Sequence, residues 1–243
     1  MKTLKRLAAV SVLITSAFAQ TPGFFISAGG GYAKVQAESF SLTTSYGEVL
    51  HSTSGDDSVT FANIELGWRF NTNWALGLGY ADYGTAELNV SFPKYSGFVS
   101  VLPFPDYSRN VLIYESHQFE LVPAYSHPIG ERWTLHARAG ATYRETTAHF
   151  ETTYYQSLSG PPSGNVSQTF PEEKTTTWSY LVSVGVEFEV TPRFSIGLMG
   201  TYSPSKMKLP GEKIAGIGNT WVTPSKSEID VDYFEVAISI GWR

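Results

Sequence analysis

The sequence predicts an all-β fold, an eight-stranded antiparallel up-and-down transmembrane β-barrel, and three observations carry that prediction. Apolar residues recur with a period of two, the spacing of one face of a strand and not of a helix. Tight turns alternate with long connections, as in hairpins standing side by side. The composition is aromatic and charge-poor. Aromatics make up 14% of the 243 residues and charged residues 16%, against roughly 25% charged in an average soluble domain. Hydrophobic residues reach only 42% and the mean hydropathy is −0.11, so the apolar residues are dispersed and not blocked. A polytopic helical membrane protein, which needs several runs of ~18–20 apolar residues, is excluded.

The net charge of −5 opposes a nucleic-acid partner, whose electrostatic footprint is basic. With no cysteine, a disulfide framework, a thiolate-ligated zinc or iron–sulfur site and a lipidated N-terminal cysteine are all ruled out. Lys2, Lys5 and Arg6 precede a short apolar run from Leu7 to Ile14, and Ala17-Phe18-Ala19 supplies a small-x-small cleavage pattern. Residues 1–19 therefore read as a secretory signal peptide cleaved after Ala19, and residues 20–243 as one barrel domain.

The strands are expected at 24–38, 59–70, 74–90, 112–127, 132–150, 175–190, 194–205 and 228–242. The first carries the glycine run Ala28-Gly29-Gly30-Gly31-Tyr32, where missing side chains let strands bend. In the second, Ile64, Leu66, Trp68 and Phe70 share a face opposite Glu65, Gly67 and Arg69, and Asn71-Thr72-Asn73 closes a tight turn. The third sets Trp74, Leu76, Leu78 and Tyr80 against Ala75, Gly77 and Gly79. In the fourth, Pro123 lacks a ladder N–H and a bulge is expected there, before the turn at 128–131 leads into the fifth. Strands six and seven, from Trp178 to Phe188 and from Phe194 to Leu198, flank the turn Thr191-Pro192-Arg193. The last, Phe234 to Trp242, alternates most cleanly. Connections at 39–58, 91–111, 151–174 and 206–227 are long and rich in Ser, Thr, Gly and Pro.

A soluble barrel with its apolar face inward and a membrane barrel with that face outward both fit eight strands. The polar face decides. It carries Gly, Ala, Ser and Thr with scattered Glu, Arg and His and almost no Lys, which suits a crowded lumen and not a water-exposed surface. Aromatics also stand eight to ten residues apart on the apolar face, as in Trp133 and Tyr143 or Phe194 and Tyr202. On a tilted strand that spacing climbs about 20–25 Å, the height between two interfacial aromatic girdles.

The signal peptide, the glycine-rich first strand, the Trp- and Phe-flanked tight turns and the terminal strand Phe234–Trp242 together resemble the OmpA-like outer-membrane barrels, including the OmpX-type outer membrane protein β-barrel domain. The resemblance covers residues 20–243. It implies an outer-membrane location in a Gram-negative-type envelope, insertion by the barrel-assembly machinery and contact with outer-membrane lipid and lipopolysaccharide. It also implies a barrel alone, without a peptidoglycan-binding domain. The final Trp242-Arg243 departs from the usual ending on the aromatic itself.

Some small outer-membrane barrels resemble lipid A deacylases and palmitoyltransferases, so acyl transfer is the enzyme to weigh. It needs a nucleophile, a base and an orienting carboxylate in hydrogen-bond reach. Ser116-His117 and Ser126-His127 are adjacent, and neighbours on a strand point to opposite faces. His149 and Glu151 share a face but have no serine at matching spacing. No cofactor or metal motif is present, and Gly29–Gly31 lacks the helix and Lys-Ser/Thr of a phosphate loop. By parity, Glu65, Arg69, Glu120, His136, Arg138, Arg144, Glu187 and Glu235 face the lumen. Turn counting places Glu120 and Arg138 at nearly equal depth, so Arg138 is expected to bridge Glu120 first, with Glu65 or Glu235 second. This cluster is either a salt-bridged plug or a narrow gated path for small solutes. The leading functional expectation is a non-catalytic structural or surface-interaction barrel whose loops display Tyr46, Tyr95, Tyr107, Tyr154, Tyr155 and Trp221 to an external ligand.

Overall fold

The computed structural model describes residues 22–44, 49–51, 55–90, 109–155, 165–169, 172–209, 214–215, 221–224 and 227–242. Eight long strands form the barrel: β1 (Gly23–Ala37), β4 (Gly55–Arg69), β5 (Trp74–Val90), β6 (Arg109–Pro128), β7 (Trp133–Tyr155), β9 (Glu173–Thr191), β10 (Phe194–Lys208) and β13 (Glu228–Trp242). Each pairs antiparallel with its neighbours in the order β6-β5-β4-β1-β13-β10-β9-β7, and the β6–β7 ladder closes the ring. The architecture is the closed up-and-down barrel that the alternation predicts. The signal-peptide segment lies outside the described residues, as do Tyr46, Tyr95 and Tyr107.

Short strands also occupy the long connections, which the sequence reading treats as loops. β2 (Ser41–Thr44), β3 (Val49–His51), β11 (Ile214–Ala215) and β12 (Trp221–Pro224) form a separate four-stranded sheet, and β8 (Asn165–Thr169) pairs with the end of β7. A second correction concerns Pro123. The β5–β6 register runs unbroken through it, Leu76 opposite Pro123 and Leu78 opposite Leu121. On its other side the β6–β7 ladder skips from Leu121 opposite Ala141 to Ala124 opposite Arg138 without a change of register, and the register shifts lie at Asp82/Thr85, around Gly84 with φ 53°, and at Phe194/Ser195. Glycine is required at 84 because a side chain is strained at that positive φ.

Apolar residues point outward along the lower two thirds of the wall. Val184 is 67% exposed and Ile238 62%, while the intervening Ser183 is 4% exposed. Aromatic rows bound this band. Toward the tight turns, Phe24 stands opposite Trp68, Trp74 opposite Tyr125, Trp133 opposite Phe188 and Phe194 opposite Trp242. Toward the long connections, Tyr80, Phe119, Tyr143 and Trp178 share one row across four strands. Val184→Arg should therefore cost about 2–4 kcal/mol of stability in lipid vesicles, measured by urea unfolding. Water accessibility at Val184 together with lipid contact at Ser183 would reverse the faces.

Beyond the loop-end aromatic row the parity continues but its polarity inverts. Inward positions become apolar and buried: Val35, Val59, Leu112, Ile229, Val231 and Tyr233 are each at most 4% exposed. Outward positions become polar, with Lys34, Glu115, Lys206 and Asp230 exposed to solvent. This projecting part, the cap, is thus built like a soluble β-protein standing on a membrane barrel. Each inward aliphatic side chain that it buries contributes about 1.5–3 kcal/mol.

Candidate functional site

The lumen is layered along its axis. Nearest the tight turns, Ser126 on β6 stands opposite His136 on β7. The serine Oγ lies 3.0 Å from His136 Nδ1, and His136 Nε2 lies 3.1 Å from Glu187 Oε2 on β9. Sequence spacing pairs Ser126 with His127 and misses this chain, because the histidine arrives from the neighbouring strand by hairpin register. Serine, imidazole and carboxylate are in sequence, and the backbone of the serine is already committed. The Ser126 N–H is donated to the Asn73 carbonyl, and the Ser126 carbonyl accepts from the Asn73 side-chain amide. Acyl transfer requires preorganised donors aimed at the developing charge. The chain ties β6, β7 and β9 together.

The middle layer centres on Arg138. Its guanidinium meets Glu65 at 2.9 Å and Glu120 at 3.9 Å, and it reaches Met199 Sδ at 3.2 Å. The order of partners is the reverse of the sequence expectation. β6 runs on through Pro128, which stands opposite Thr134, so the turn falls later than counted. Arg138 consequently faces Ala124, and Glu120 faces Thr142. The guanidinium crosses the lumen to β4 instead. Glu65 finds room over β5 because Gly77 has no side chain; a Cβ there would fall on the Glu65 carboxylate.

Arg144 occupies the third layer. Its guanidinium carbon lies 3.4 Å from the Tyr233 ring centroid and 4.6 Å from that of Tyr83, a cation–π sandwich in a fully enclosed site. Arg144 Nε donates to Gln118 Oε1 at 2.8 Å, the Nη2 group donates to the same oxygen, and Gln118 Nε2 donates to Glu120 at 2.8 Å. Gln118 therefore joins the third layer to the second. Glu235 belongs to this upper layer and not to that of Arg138, since it accepts the Tyr83 hydroxyl at 2.6 Å. Ser116 Oγ lies 3.0 Å from the Tyr233 hydroxyl. In the cap above, burial pushes the Tyr114 phenol far above its ordinary range, with Tyr233 and Asp57 adding to the shift.

Arg69 stands at the turn-end mouth, opposite Ala75. A cavity of about 100 Å³ opens among Glu65, Arg69, Glu120, His136, Arg138 and Glu187. His117 and His149 face outward, His117 beside Tyr80 and Asp82 and His149 3.9 Å from Glu151. Among the described residues, no group of three His, Asp or Glu side chains could hold a metal ion. Tyr83, Tyr233 and Gln118 lie outside the sequence expectation, which follows charge and not the neutral residues on the inward parity, and Ser116 enters it only beside His117.

A profile of the outer membrane protein beta-barrel domain matches residues 6–241. The chain belongs to that family. Comparison with curated proteins finds no match. Among solved structures, the fold is similar to OprG from Pseudomonas aeruginosa, at 14% identity over 92% of this chain and 97% of that one, with a TM-score of 0.54. Neisserial surface protein A aligns at 13% identity over 92% and 99%, with a TM-score of 0.48. AlkL aligns at 14% identity over 95% and 93%, also at 0.48. The protein is thus a small outer-membrane β-barrel of the eight-stranded type, with its apolar band in lipid.

Proposed function

We propose that the protein is a sealed barrel that serves as a surface-interaction platform, with its cap and long connections outside the cell and its tight turns in the periplasm. One observation carries this reading: the inversion that makes the cap interior apolar. Packed side chains such as Leu112, Met207 and Tyr233, each at most 2% exposed, fill the path above the polar lumen, and Arg144 bars the level below. A solute pathway would need a hydrated route through both. A rigid cored cap instead gives loops a fixed base, which suits binding more than permeation. In this reading residues 1–19 are removed during export, the assembly machinery inserts the barrel, and lipopolysaccharide surrounds it. The lumen charges act as a plug.

Planar-bilayer recording tests the proposal. The wild-type protein should insert without conductance steps, whereas Arg144→Ala should show intermittent opening as the bar is removed. Regular steps from the wild type would establish a small-solute channel in its place.

A further inference from the structure

The wall of the cap is not continuous. The β4–β5 ladder ends at Ala62 opposite Asp82, although β4 continues to Gly55 and β5 to Val90. The β9–β10 ladder ends at Val182 opposite Tyr202, although β9 reaches Glu173 and β10 reaches Lys208. Every other barrel ladder persists into the cap, as in Lys208 opposite Glu228, Ala37 opposite Gly55, Val90 opposite Asn110 and Ala148 opposite Glu173. The seams are four strands apart, on opposite sides of the ring. The cap is therefore two four-stranded sheets, β10-β13-β1-β4 and β5-β6-β7-β9, face to face over one core.

Each seam has a local cause. The β4 ladder stops at Asp82, two residues before Gly84, where β5 also shifts register against β6. At the other seam the Lys208 N–H and the Lys206 carbonyl point toward β9, so even-numbered residues of β10 present their backbone to that strand. Pro204 is one of them, and it has no N–H to give. The seams are also closed differently. Carboxylates cap the first: Asp57 accepts the Glu87 N–H at 2.7 Å and Asp82 accepts the Gly84 N–H at 3.1 Å. Two threonine hydroxyls stitch the second. Thr177 donates to the Lys206 carbonyl at 3.1 Å, and Thr175 accepts the Lys208 N–H at 2.8 Å. Lys174, Lys206 and Lys208 are exposed along its outer border, Lys174 Nζ 2.6 Å from Glu145 and the other two opposite Asp230 and Glu228.

We propose that the β9–β10 seam admits an extended strand of a partner polypeptide whose side chains alternate apolar and acidic. This deepens the surface-interaction reading and rests on it. The entering strand exchanges two hydroxyl stitches for backbone ladders on both sides. Its inward side chains join Met207 and Leu209 in the core, and its outward carboxylates take the three lysines over from Glu145, Asp230 and Glu228. The opposite seam, lined by Asp57, Asp82 and Glu87, repels the same strand.

The chain has no cysteine, so Ser179→Cys with Ser205→Cys, which the ladder register extended upward sets opposite each other, gives a reversible lock on this seam alone. The probe is a dye-labelled octapeptide alternating Val and Glu, followed by fluorescence anisotropy against the protein refolded in detergent micelles. Wild type and reduced double variant should bind it; oxidation should weaken binding at least about tenfold and reduction should restore it. Pro204→Thr, which returns the missing N–H and lets the ladder climb, should weaken binding by a similar factor without lowering the melting temperature. A Val–Lys octapeptide should not bind. Equal binding to locked and reduced protein, equal binding of the Val–Lys peptide, or no binding by the wild type would overturn the proposal. Peptide failure with a silent bilayer removes only the strand slot. Lock-sensitive binding by a conducting wild type removes only the sealed-barrel reading.

Discussion

Arg144→Ala is expected to lower the unfolding free energy by about 3–5 kcal/mol, the range for breaking a buried charged site. The guanidinium fills the space between Tyr83 and Tyr233 and satisfies Gln118, so truncation leaves a cavity, two unstacked rings and an amide without its donor. It also bridges the two sheets of the cap, since Tyr233 and Ser203 come from one and Gln118 and Tyr83 from the other. Arg144→Lys should recover only part of the loss, because an ammonium cannot spread between two rings and still fork to Gln118. Urea titration of the refolded protein, read by tryptophan fluorescence, measures both. A loss under about 1 kcal/mol for alanine would show that the sandwich contributes no more than an exposed cation–π pair.

The second large effect belongs to Arg138. Its removal strands Glu65 and Glu120 in a nearly enclosed lumen, with an expected cost of about 3–5 kcal/mol. Geometry orders the couplings. In double-mutant cycles Arg138→Ala with Glu65→Ala should show the larger interaction energy, because that contact is 2.9 Å against 3.9 Å to Glu120. Additivity in the Glu65 cycle would mean that water, and not the arginine, satisfies that carboxylate. A larger coupling to Glu120 would restore the order that turn counting suggested.

Period two made the strands legible, because a half-buried strand must repeat its apolar residues at every second position. Both glycines of the Ala75–Gly79 alternation reappear as room for lumen carboxylates. Depth was less legible. One residue more or less in a turn shifts every cross-strand pair, and Pro128, counted as turn, is strand. That error displaced Arg138 from Glu120, and hairpin pairing also hid Ser126 beside His136. Pro123 interrupts without breaking: the β5 register runs through it, and the β6–β7 ladder skips two pairs and resumes in the same register at Ala124 opposite Arg138. Pro204 marks a true break in a ladder and is equally visible in the chain. What separates the two is whether the ladder resumes beyond the proline, a property of the neighbouring strands and not of composition. The interior aromatics of the cap were hidden for a related reason. Val231 and Tyr233 continue the parity of Glu235, but that face changes chemistry partway along the strand.

The polarity inversion gives the molecule a waterline. Drawn inward by one turn of its depth, the barrel would drag Glu115, Glu145, Lys174 and Lys206 from headgroups into hydrocarbon, each costing up to about 2–4 kcal/mol near the midplane. Pushed outward, it would lift Phe119 and Trp178 out of the interface and wet the apolar wall beneath them. Both displacements are opposed along every strand at once, so the draught of the barrel is fixed by its own wall. A protein moored at one height presents its surface features at one distance from the bilayer, and a seam beginning just above Tyr202 lies at the level of the lipid headgroups.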